Sequence, residues 1–326
     1  MTDLPDHQRI ILERYLARRQ VWDQEGKGDS GKETGDDTNA ASSERPAGDP
    51  NIEALINHGA PFYNTDKQGD IFIGVAHSLR EAQTYVKSGG IVASLPFLIA
   101  GKTRATKTVG GKVVRNPDHY VWKNWLTALS EENVGIDTKG KYVQRNKPIV
   151  ITVHGGGILS TPERILQAYQ EALTPQNAAK YVDKNGRPTG EFEGLLDGRL
   201  PNGEAINLYS IEDVVQGRIA NPFARHAIWT PYETAKNTPS GHIIKTDFLK
   251  NELVLSRSST ILYLPTYFDL AQNDGKVGNW HRLKEIDPNI PQGRVLFLNA
   301  NNGGLDGDDN LGGGGRFVGV RTGGSP

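Results

Sequence analysis

The stretch LNANNGGLDGDDNLGGGGRFVGVR, Leu298–Arg321, most constrains what this chain can fold into. From Asn299 to Gly315 every residue is Asn, Asp, Gly or Ala except Leu305 and Leu311. These residue types favour turns and bury little apolar surface, but RFVGVR then resumes the apolar alternation of a strand. A flexible linker has nothing to connect when only one short strand follows. We therefore expect an exposed surface segment held at both ends, with the two leucines as anchors in the core.

Composition limits the classes of function that the chain can have. It has 326 residues, enough for a sizeable core, and 37 lysines and arginines balance 38 acidic residues. This balance provides no general attraction to nucleic acid or to an anionic membrane. The absence of cysteine excludes disulfides, thiolate metal sites and thiol catalysis.

The hydropathy of the chain does not indicate a membrane protein. The N-terminus has no signal-peptide core, because charges interrupt every apolar run. The most apolar window, 89–102, is shorter than the about 20 residues that span a bilayer. We expect no nucleic-acid partner and no membrane insertion, with the cytoplasm as the default location.

The N-terminal part of the chain differs in composition from the rest. Residues 7–22 carry apolar pairs at i,i+4 spacing with arginines between them, which predicts a helix that is either a packing arm or an oligomerisation or docking helix. Residues 23–50 contain almost no apolar side chains, so they cannot offset their ordering entropy. We expect a helical arm over 1–22, a disordered linker over 23–50 and a folded domain over 51–326.

The main body intermingles predicted helices and strands without a strict βαβ alternation, which favours an α+β architecture. Strands are expected at 69–78 and 89–101, separated by a helix that Gly89 closes, and an aromatic-rich helix is expected at 118–133. Residues 147–157 predict a strand that runs into a glycine turn. Later elements are helix starts at Ser160 or Thr161, at Thr174–Pro175 and at Ser210, a strand-to-helix passage around Pro231, an apolar helix interrupted by Pro265, and two final strands at 293–300 and 315–321.

The sequence VHGGG, Val153–Gly157, is typical of the oxyanion-hole turn of lipases and esterases. That chemistry also needs a nucleophile elbow, Gly-x-Ser-x-Gly, which the chain lacks. The eight histidines show neither His-Glu-x-x-His nor His-x-His spacing, so they predict no metal site. A glycine-rich exit from a strand into a proline-capped helix explains the motif better. A hydrolase-like enzyme that uses the His154–Gly157 turn stays as an alternative.

The acidic run DGDDN, Asp306–Asn310, raises the question of calcium. As an EF-hand loop it fails, because the sixth position is Leu311 rather than Gly and the twelfth is Phe317 rather than Glu. GDDNLGGGG is close to one calcium-binding nonapeptide repeat, but that architecture needs several stacked turns, and RFVGVRTGG breaks the pattern. We expect no cofactor. A structural protein with a single calcium-binding Gly/Asp turn is a second alternative.

Fixed apolar anchors among interchangeable Asn, Asp, Gly and Ala positions, closed by GRFVGVR, resemble the variable region of a diversity-generating retroelement target protein. In that family an error-prone reverse transcriptase rewrites adenines of a template, and the copy replaces the 3′ end of the gene. Asn codons are the main targets, and their products include the residue types found at Asn299–Gly314. The resemblance covers only this C-terminal segment.

The resemblance implies a fold and a site. Members of the family fold as C-type-lectin-like domains, of the type of formylglycine-generating enzymes, with the variable residues on a rigid surface near the C-terminus. For this chain it implies a C-type-lectin-like α+β domain with helical insertions and a variable region at about 297–316. The implied ligand-binding positions are Asn299, Asn301, Asn302, Gly303, Gly304, Asp306, Asp308, Asp309, Asn310, Gly312, Gly313 and Gly314.

These observations together predict a non-enzymatic ligand-binding protein with a hypervariable C-terminal surface, diversified to recognise changing targets. Such a surface needs rigid anchors and contact positions that change without disturbing the fold. The expected partner is a variable protein or another macromolecular ligand.

Overall fold

The computed structural model describes residues 50–87, 89–172, 178–300, 303–308 and 314–321. The expected helical arm over 1–22, the expected linker up to residue 49 and the helix start at Thr174–Pro175 lie outside these ranges. Within them, the first helix begins at Pro50. No helix of the described residues is long and apolar enough to cross a membrane.

Short helices and strands alternate irregularly along the described part of the chain, which confirms the α+β prediction. The helices are α1 (Pro50–His58), α2 (Gly74–Tyr85), α3 (Leu95–Arg104), α4 (Tyr120–Lys123), α5 (Pro162–Ala172), α6 (Glu191–Leu196), α7 (Ile211–Gln216), α8 (Tyr232–Asn237), α9 (Lys245–Lys250), α10 (Glu252–Ser258) and α11 (Leu264–Ala271). The strands are β1 (Ala60–Asn64), β2 (Lys67–Gln68), β3 (Ile71–Phe72), β4 (Ile91–Val92), β5 (Thr106–Val109), β6 (Lys112–Arg115), β7 (Leu126–Asp137), β8 (Lys147–His154), β9 (Ala179–Lys180), β10 (Leu208–Tyr209), β11 (His226–Pro231), β12 (Gly241–Ile244), β13 (Lys276–Trp280), β14 (Gln292–Leu298), β15 (Leu305–Asp306) and β16 (Gly315–Val320).

Among the described residues, twelve strands form one sheet, whose main path runs β10–β11–β8–β7–β14–β15–β13–β12. The long strand β7 lies at its centre, antiparallel to β8 on one side and to β14 on the other. The strands β1, β4, β9 and β16 join beside this path, and β2–β3 and β5–β6 are separate hairpins. The centre of the sheet therefore lies directly beside the C-terminal loop, which begins where β14 ends.

Apolar residues pack on both faces of this sheet. Successive residues of a strand point to opposite faces, and in β14 Val295 and Phe297 belong to one apolar cluster while Leu296 and Leu298 belong to another. Helices α2, α5 and α6 cover the first cluster, and α3, α10 and α11 contribute to the second. Since both faces are buried, the central strands consist of nearly continuous buried residues.

The C-terminal strand β16 closes the fold. It pairs antiparallel with β1, where Phe317 lies opposite Phe62, and it meets β7 at Thr127. Its end pairs with β4, where Val320 lies opposite Ile91. The sequence predicted pairing with the strand at 293–300 or with another buried strand, and the second arrangement is found.

Several predicted elements are confirmed where local chemistry marks a boundary. The Thr161 hydroxyl accepts a hydrogen bond from the Arg164 N–H at 3.2 Å at the start of α5. Ser210 forms a capping box with Asp213 at the start of α7. The passage from β11 to α8 occurs at Pro231, as expected. The prediction that Pro265 interrupts a helix is wrong. Pro265 lies in the first turn of α11, where a missing N–H is tolerated, so it marks the start of the helix.

Three secondary-structure predictions are wrong. The segment 69–78 holds only the two-residue strand β3, and α2 begins at Gly74 and ends at Tyr85, before Gly89. The segment 89–101 is mostly the helix α3, whose residues 95–102 are all buried. The segment 118–133 is the short helix α4 followed by the strand β7. Burial on all sides removes the periodic pattern that distinguishes a helix from a strand.

Candidate functional site

The loop between β14 and β16 carries the candidate site. Its first half doubles back as the short strand β15, in which Leu305 lies opposite Leu298 of β14 and opposite Asn279 of β13. Leu305 is fully buried in the core, so the expected anchor is confirmed there, whereas Leu311 lies outside the described residues. The first half of the loop is therefore an inserted strand of the sheet.

The buried side chain of Arg257, in α10, connects this strand to the centre of the sheet. Its Nε donates to Glu132 Oε2 at 2.9 Å, and its Nη2 donates to Oε1 at 3.3 Å. Its Nη1 donates to Asn279 Oδ1 and to the Trp280 carbonyl, both at 2.9 Å, and to the Leu305 carbonyl at 3.1 Å. The Arg257 side chain is 0% exposed and that of Glu132 is 3% exposed, so salt screens the pair little. One guanidinium thus fixes α10, β7, β13 and β15 relative to one another.

Two further side chains hold backbone carbonyls at the entrance to the loop. Lys102 Nζ, in the last turn of α3, donates to the Asn299 carbonyl at 2.7 Å. The Tyr267 hydroxyl, in α11, donates to the Gly303 carbonyl. The Asn299 N–H donates to the Gly304 carbonyl at 2.8 Å and closes the turn. Donors from α3, α10 and α11 therefore fix the backbone of the first half of the loop.

Lys102 is fully buried beneath the loop, with its ammonium 4.6 Å from the centre of the Trp122 ring. Burial, with a smaller contribution from the positive charge of Arg115, lowers the pKa of Lys102 from 10.5 to about 7. A lysine amine donates hydrogen bonds in both protonation states, so the bond to the Asn299 carbonyl does not require the charge. Burial therefore destabilises the protonated, charged form of Lys102 relative to the neutral amine.

Two glycines of the first half leave no room for a side chain. A Cβ on Gly307 would lie 2.4 Å from Arg257 Nη2, which cannot move without giving up its hydrogen bonds. A Cβ on Gly303 would lie 2.4 Å from the Ala271 Cβ, and the φ of 57° at Gly303 favours glycine. A Cβ on Gly314 would lie 3.1 Å or more from its neighbours, contacts that a small shift relieves. Glycine is therefore required at positions 303 and 307 and optional at position 314.

The twelve predicted ligand-binding residues fall into three groups. Six of them lie outside the described residues: Asn301, Asn302, Asp309, Asn310, Gly312 and Gly313. Gly303, Gly304 and Asp306 are buried, so the expectation that they form an exposed face is wrong. The reason is that the segment packs as a strand between β13 and β14. Asn299, Asp308 and Gly314 are partly exposed.

Comparison with known proteins identifies the fold that carries this loop. No protein-family model and no curated protein matches the chain. A solved structure that concerns the accommodation of massive sequence variation in Nanoarchaeota by the C-type lectin fold does match. It superposes with a TM-score of 0.54 and 25% sequence identity, over 82% of this chain and 100% of that chain. This chain has the C-type lectin fold. The fold expected from the C-terminal resemblance is confirmed.

The far end of the loop enters β16 of the lectin fold beside two aromatic side chains. The Arg316 guanidinium lies 4.3 Å from the centre of the Tyr63 ring and 5.0 Å from that of Trp125. Its Nη1 donates to Asn124 Oδ1 at 2.8 Å. Tyr63 is 54% exposed and meets Trp125 edge to face. Tyr63, Trp125 and Arg316 form an aromatic platform of the residue types that dominate binding hot spots.

The VHGGG turn of the lectin fold is built around a buried carboxylate. Glu131 accepts hydrogen bonds from the backbone N–H groups of residues 158 and 159, at 2.7 and 2.6 Å. Burial, the largest influence, raises the pKa of Glu131. His154 is fully buried, 2.9 Å from the Ser130 hydroxyl and 2.9 Å from a backbone carbonyl of α10. These buried contacts give the His154–Gly157 turn a structural role.

The described part of the acidic run braces the loop internally. The Asp306 carboxylate accepts hydrogen bonds from Asn299 Nδ2 at 2.9 Å and from the Asp308 N–H at 3.0 Å. Within the described ranges, no three His, Cys, Asp or Glu side chains come close enough together to hold a metal ion. Asp309 and Asn310 lie outside those ranges.

Sequence reasoning missed the side chains that hold the loop: Lys102, Glu132, Arg257 and Tyr267. A signal was present for two of them, since Lys102 and Arg257 each interrupt an apolar run, in FLIAGKT and in LVLSRSS. Charged residues in such runs are buried mainly when they are paired. That rule identifies a buried charge but not its partner, which lies far away in the sequence.

Replacing Arg257 by Met should lower the free energy of unfolding by about 3–5 kcal/mol, because Glu132 would remain buried without a partner. Urea unfolding followed by circular dichroism measures the change. The double variant R257M/E132M should recover part of this loss, since no buried charge is then left unpaired. A double variant no more stable than R257M would show that the unpaired carboxylate is not the cause.

Gly307→Ala should destabilise the protein by about 1–3 kcal/mol, because the added Cβ displaces the Arg257 guanidinium. Gly314→Ala is the matched control, and its expected cost is about 0.5 kcal/mol or less. Thermal unfolding of the two variants compares them directly. Equal costs would contradict the contrast between a packed position at Gly307 and a permissive one at Gly314.

The stability that depends on Lys102 should rise with pH between 7 and 9. Between the folded-state pKa of about 7 and the ordinary 10.5, the unfolded chain binds a proton that the folded chain does not, so unfolding becomes less favourable as pH increases. The difference in unfolding free energy between the parent and Lys102→Met, measured in urea at pH 6 to 9, isolates this contribution. Lys112→Met, at an exposed position, is the control, and its difference from the parent should stay constant.

Proposed function

We propose that this protein binds a ligand through its C-terminal loop, and that a retroelement reverse transcriptase diversifies the sequence of this loop. The observation that carries the proposal is a contrast within the loop. Residues 303–307 are buried, whereas Asp308 and Gly314, on either side of 309–313, are partly exposed. A diversified surface needs this division, because contact positions must change without disturbing the fold.

The contrast also sets the limits of the proposed contact positions. Gly303 and Gly307 have no space for side chains, and Asp306 and Asn299 hydrogen-bond to each other within the loop. In our proposal these positions, together with Gly304, belong to the constant frame. The proposed contact positions are Asn301, Asn302, Asp308, Asp309, Asn310, Gly312, Gly313 and Gly314, within the expected variable region at about 297–316.

Two observations support diversification as the source of variation. The matching lectin-fold structure concerns massive sequence variation, a property of that protein that we extend to this chain as a proposal. The residue types of the loop are those that substitutions at adenines of Asn codons produce, with Leu305 and Leu311 spaced between them.

The proposed ligand is a protein or another macromolecule. The aromatic platform adjoins the end of the loop, because a Cβ on Gly314 would lie 3.4 Å from the Tyr63 ring. Large rigid aromatic side chains provide contact area at a low cost in conformational entropy. The platform would therefore supply constant affinity, and the loop would supply discrimination between ligands. A glycine-rich loop adds little contact area, so this version should bind weakly.

The N-terminal part of the chain has a separate role in this proposal. The residues before 51 are proposed as a helical arm over 1–22 and a linker over 23–50, separate from the ligand-binding domain. The arm would either pack on that domain or dock to a second chain.

Sequencing the 3′ end of this gene across a natural population of its host should show substitutions concentrated at the proposed contact positions. They should fall at adenines of a nearby template copy and should spare Leu305, Gly307 and Arg316–Arg321. The same reads provide the control, since 147–157 should show only background variation. Rare and uniform variation across both windows would exclude diversification of this loop.

A further inference from the structure

One arginine of the central sheet has no hydrogen-bond acceptor in the part of the chain that the structure describes. Arg294, in β14, is only 3% exposed. Its Nε, Nη1 and Nη2 are all buried, and none of them has a partner among the described residues. A guanidinium carries five N–H donors, and burying a charge without compensating bonds strongly disfavours the folded state. Among the described residues, nothing therefore offers this guanidinium the acceptors that its charge requires.

The nearest acidic side chain across the sheet is already occupied. Arg294 lies directly opposite Glu132 in β7, so the two side chains are on the same face of the sheet. Both carboxylate oxygens of Glu132 accept hydrogen bonds from Arg257. The buried guanidinium of Arg257 has acceptors for its N–H groups. That of Arg294 has no equivalent acceptors among the described residues.

Charged groups from β7, from the segment 282–285 and from the loop act on Arg294. Burial is the largest influence on the pKa of Arg294 and lowers it, as does Arg282, whereas Glu132, Asp308 and Glu285 raise it. Glu285 forms an ion pair with Arg282, at 3.6 Å. Asp308 belongs to the loop and is partly exposed. The guanidinium is thus within electrostatic reach of a loop position that meets solvent.

We propose that Arg294 binds one carboxylate group of the ligand at the base of the loop. This rests on the ligand-binding role proposed above and adds the chemistry of one contact, an acidic side chain or a C-terminal carboxylate of a protein. The planar fork of arginine matches a carboxylate with two parallel hydrogen bonds. A hydroxyl or an amide would leave the charge unmatched.

The position of Asp308 connects this contact to loop variation. An acidic residue at 308 competes with the ligand for Arg294, because its charge already acts on the guanidinium. A neutral residue at 308 leaves the guanidinium to the ligand. Variation at this single position would therefore tune affinity for acidic partners without any change in the frame.

Thermal unfolding of the full chain tests the proposal, with acetate as the probe carboxylate and chloride as the reference at equal ionic strength and pH 7.5. A ligand that binds only the folded state raises Tm by mass action, and we expect acetate to raise it by about 2 °C or more over chloride. The shift should be larger in Asp308→Asn, which removes the competing carboxylate. It should vanish in Arg294→Met and persist in Arg187→Met, which removes an exposed guanidinium.

Arg294→Lys keeps the experiment decisive should the methionine variant fail to fold. It retains the charge but cannot make paired bonds to a carboxylate, so it should lose most of the acetate shift. Equal shifts in this variant and the parent, or no shift in the parent, would overturn the proposal. A shift confined to Asp308→Asn would identify Asp308 as the resident partner of Arg294 and would also overturn it. None of these outcomes depends on diversification, which population sequencing tests separately.

Discussion

The buried ion pair between Arg257 and Glu132 is the interaction on which the candidate site depends. Strand β15 has only two residues, too few to hold a loop in place through backbone pairing alone. The guanidinium supplies the remaining constraint, because its donors fix the Leu305 carbonyl relative to β7 and β13. Glu132, Arg257 and Leu305 are far apart in the sequence, so a long-range contact holds this part of the loop.

The sequence predicted those parts of the fold in which one local feature decides the structure. Ser210 and Thr161 mark helix starts because their side chains cap free N–H groups, and β8, β14 and β16 are short apolar runs between turn residues. The spacing of apolar residues gave the wrong secondary structure for α3 and for β7. Both are buried on nearly all sides, so apolar residues occur without a period, and only tertiary contacts decide between helix and strand.

The candidate site was predicted in position but not in detail, for a different reason. The glycines of this loop differ in what surrounds them. At Gly307 the Arg257 side chain occupies the space that a Cβ would need, whereas at Gly314 a Cβ nearly fits. Both look the same in the sequence. The Arg257 side chain that separates them comes from α10, far upstream in the sequence. Local composition therefore indicated a loop and its leucine anchor, but not which of its residues meet solvent.

The position of β16 after the loop in the chain has a consequence for the proposed diversification. This strand joins β1, β4 and β7, and Phe317 is buried in the core. A stop codon or a frameshift within the loop removes β16 and leaves β1 without its partner strand. Such chains cannot complete the fold, and cells degrade unfolded chains. If the loop is diversified as proposed, folding itself acts as a proofreading step, because only copies that preserve the reading frame produce a stable protein.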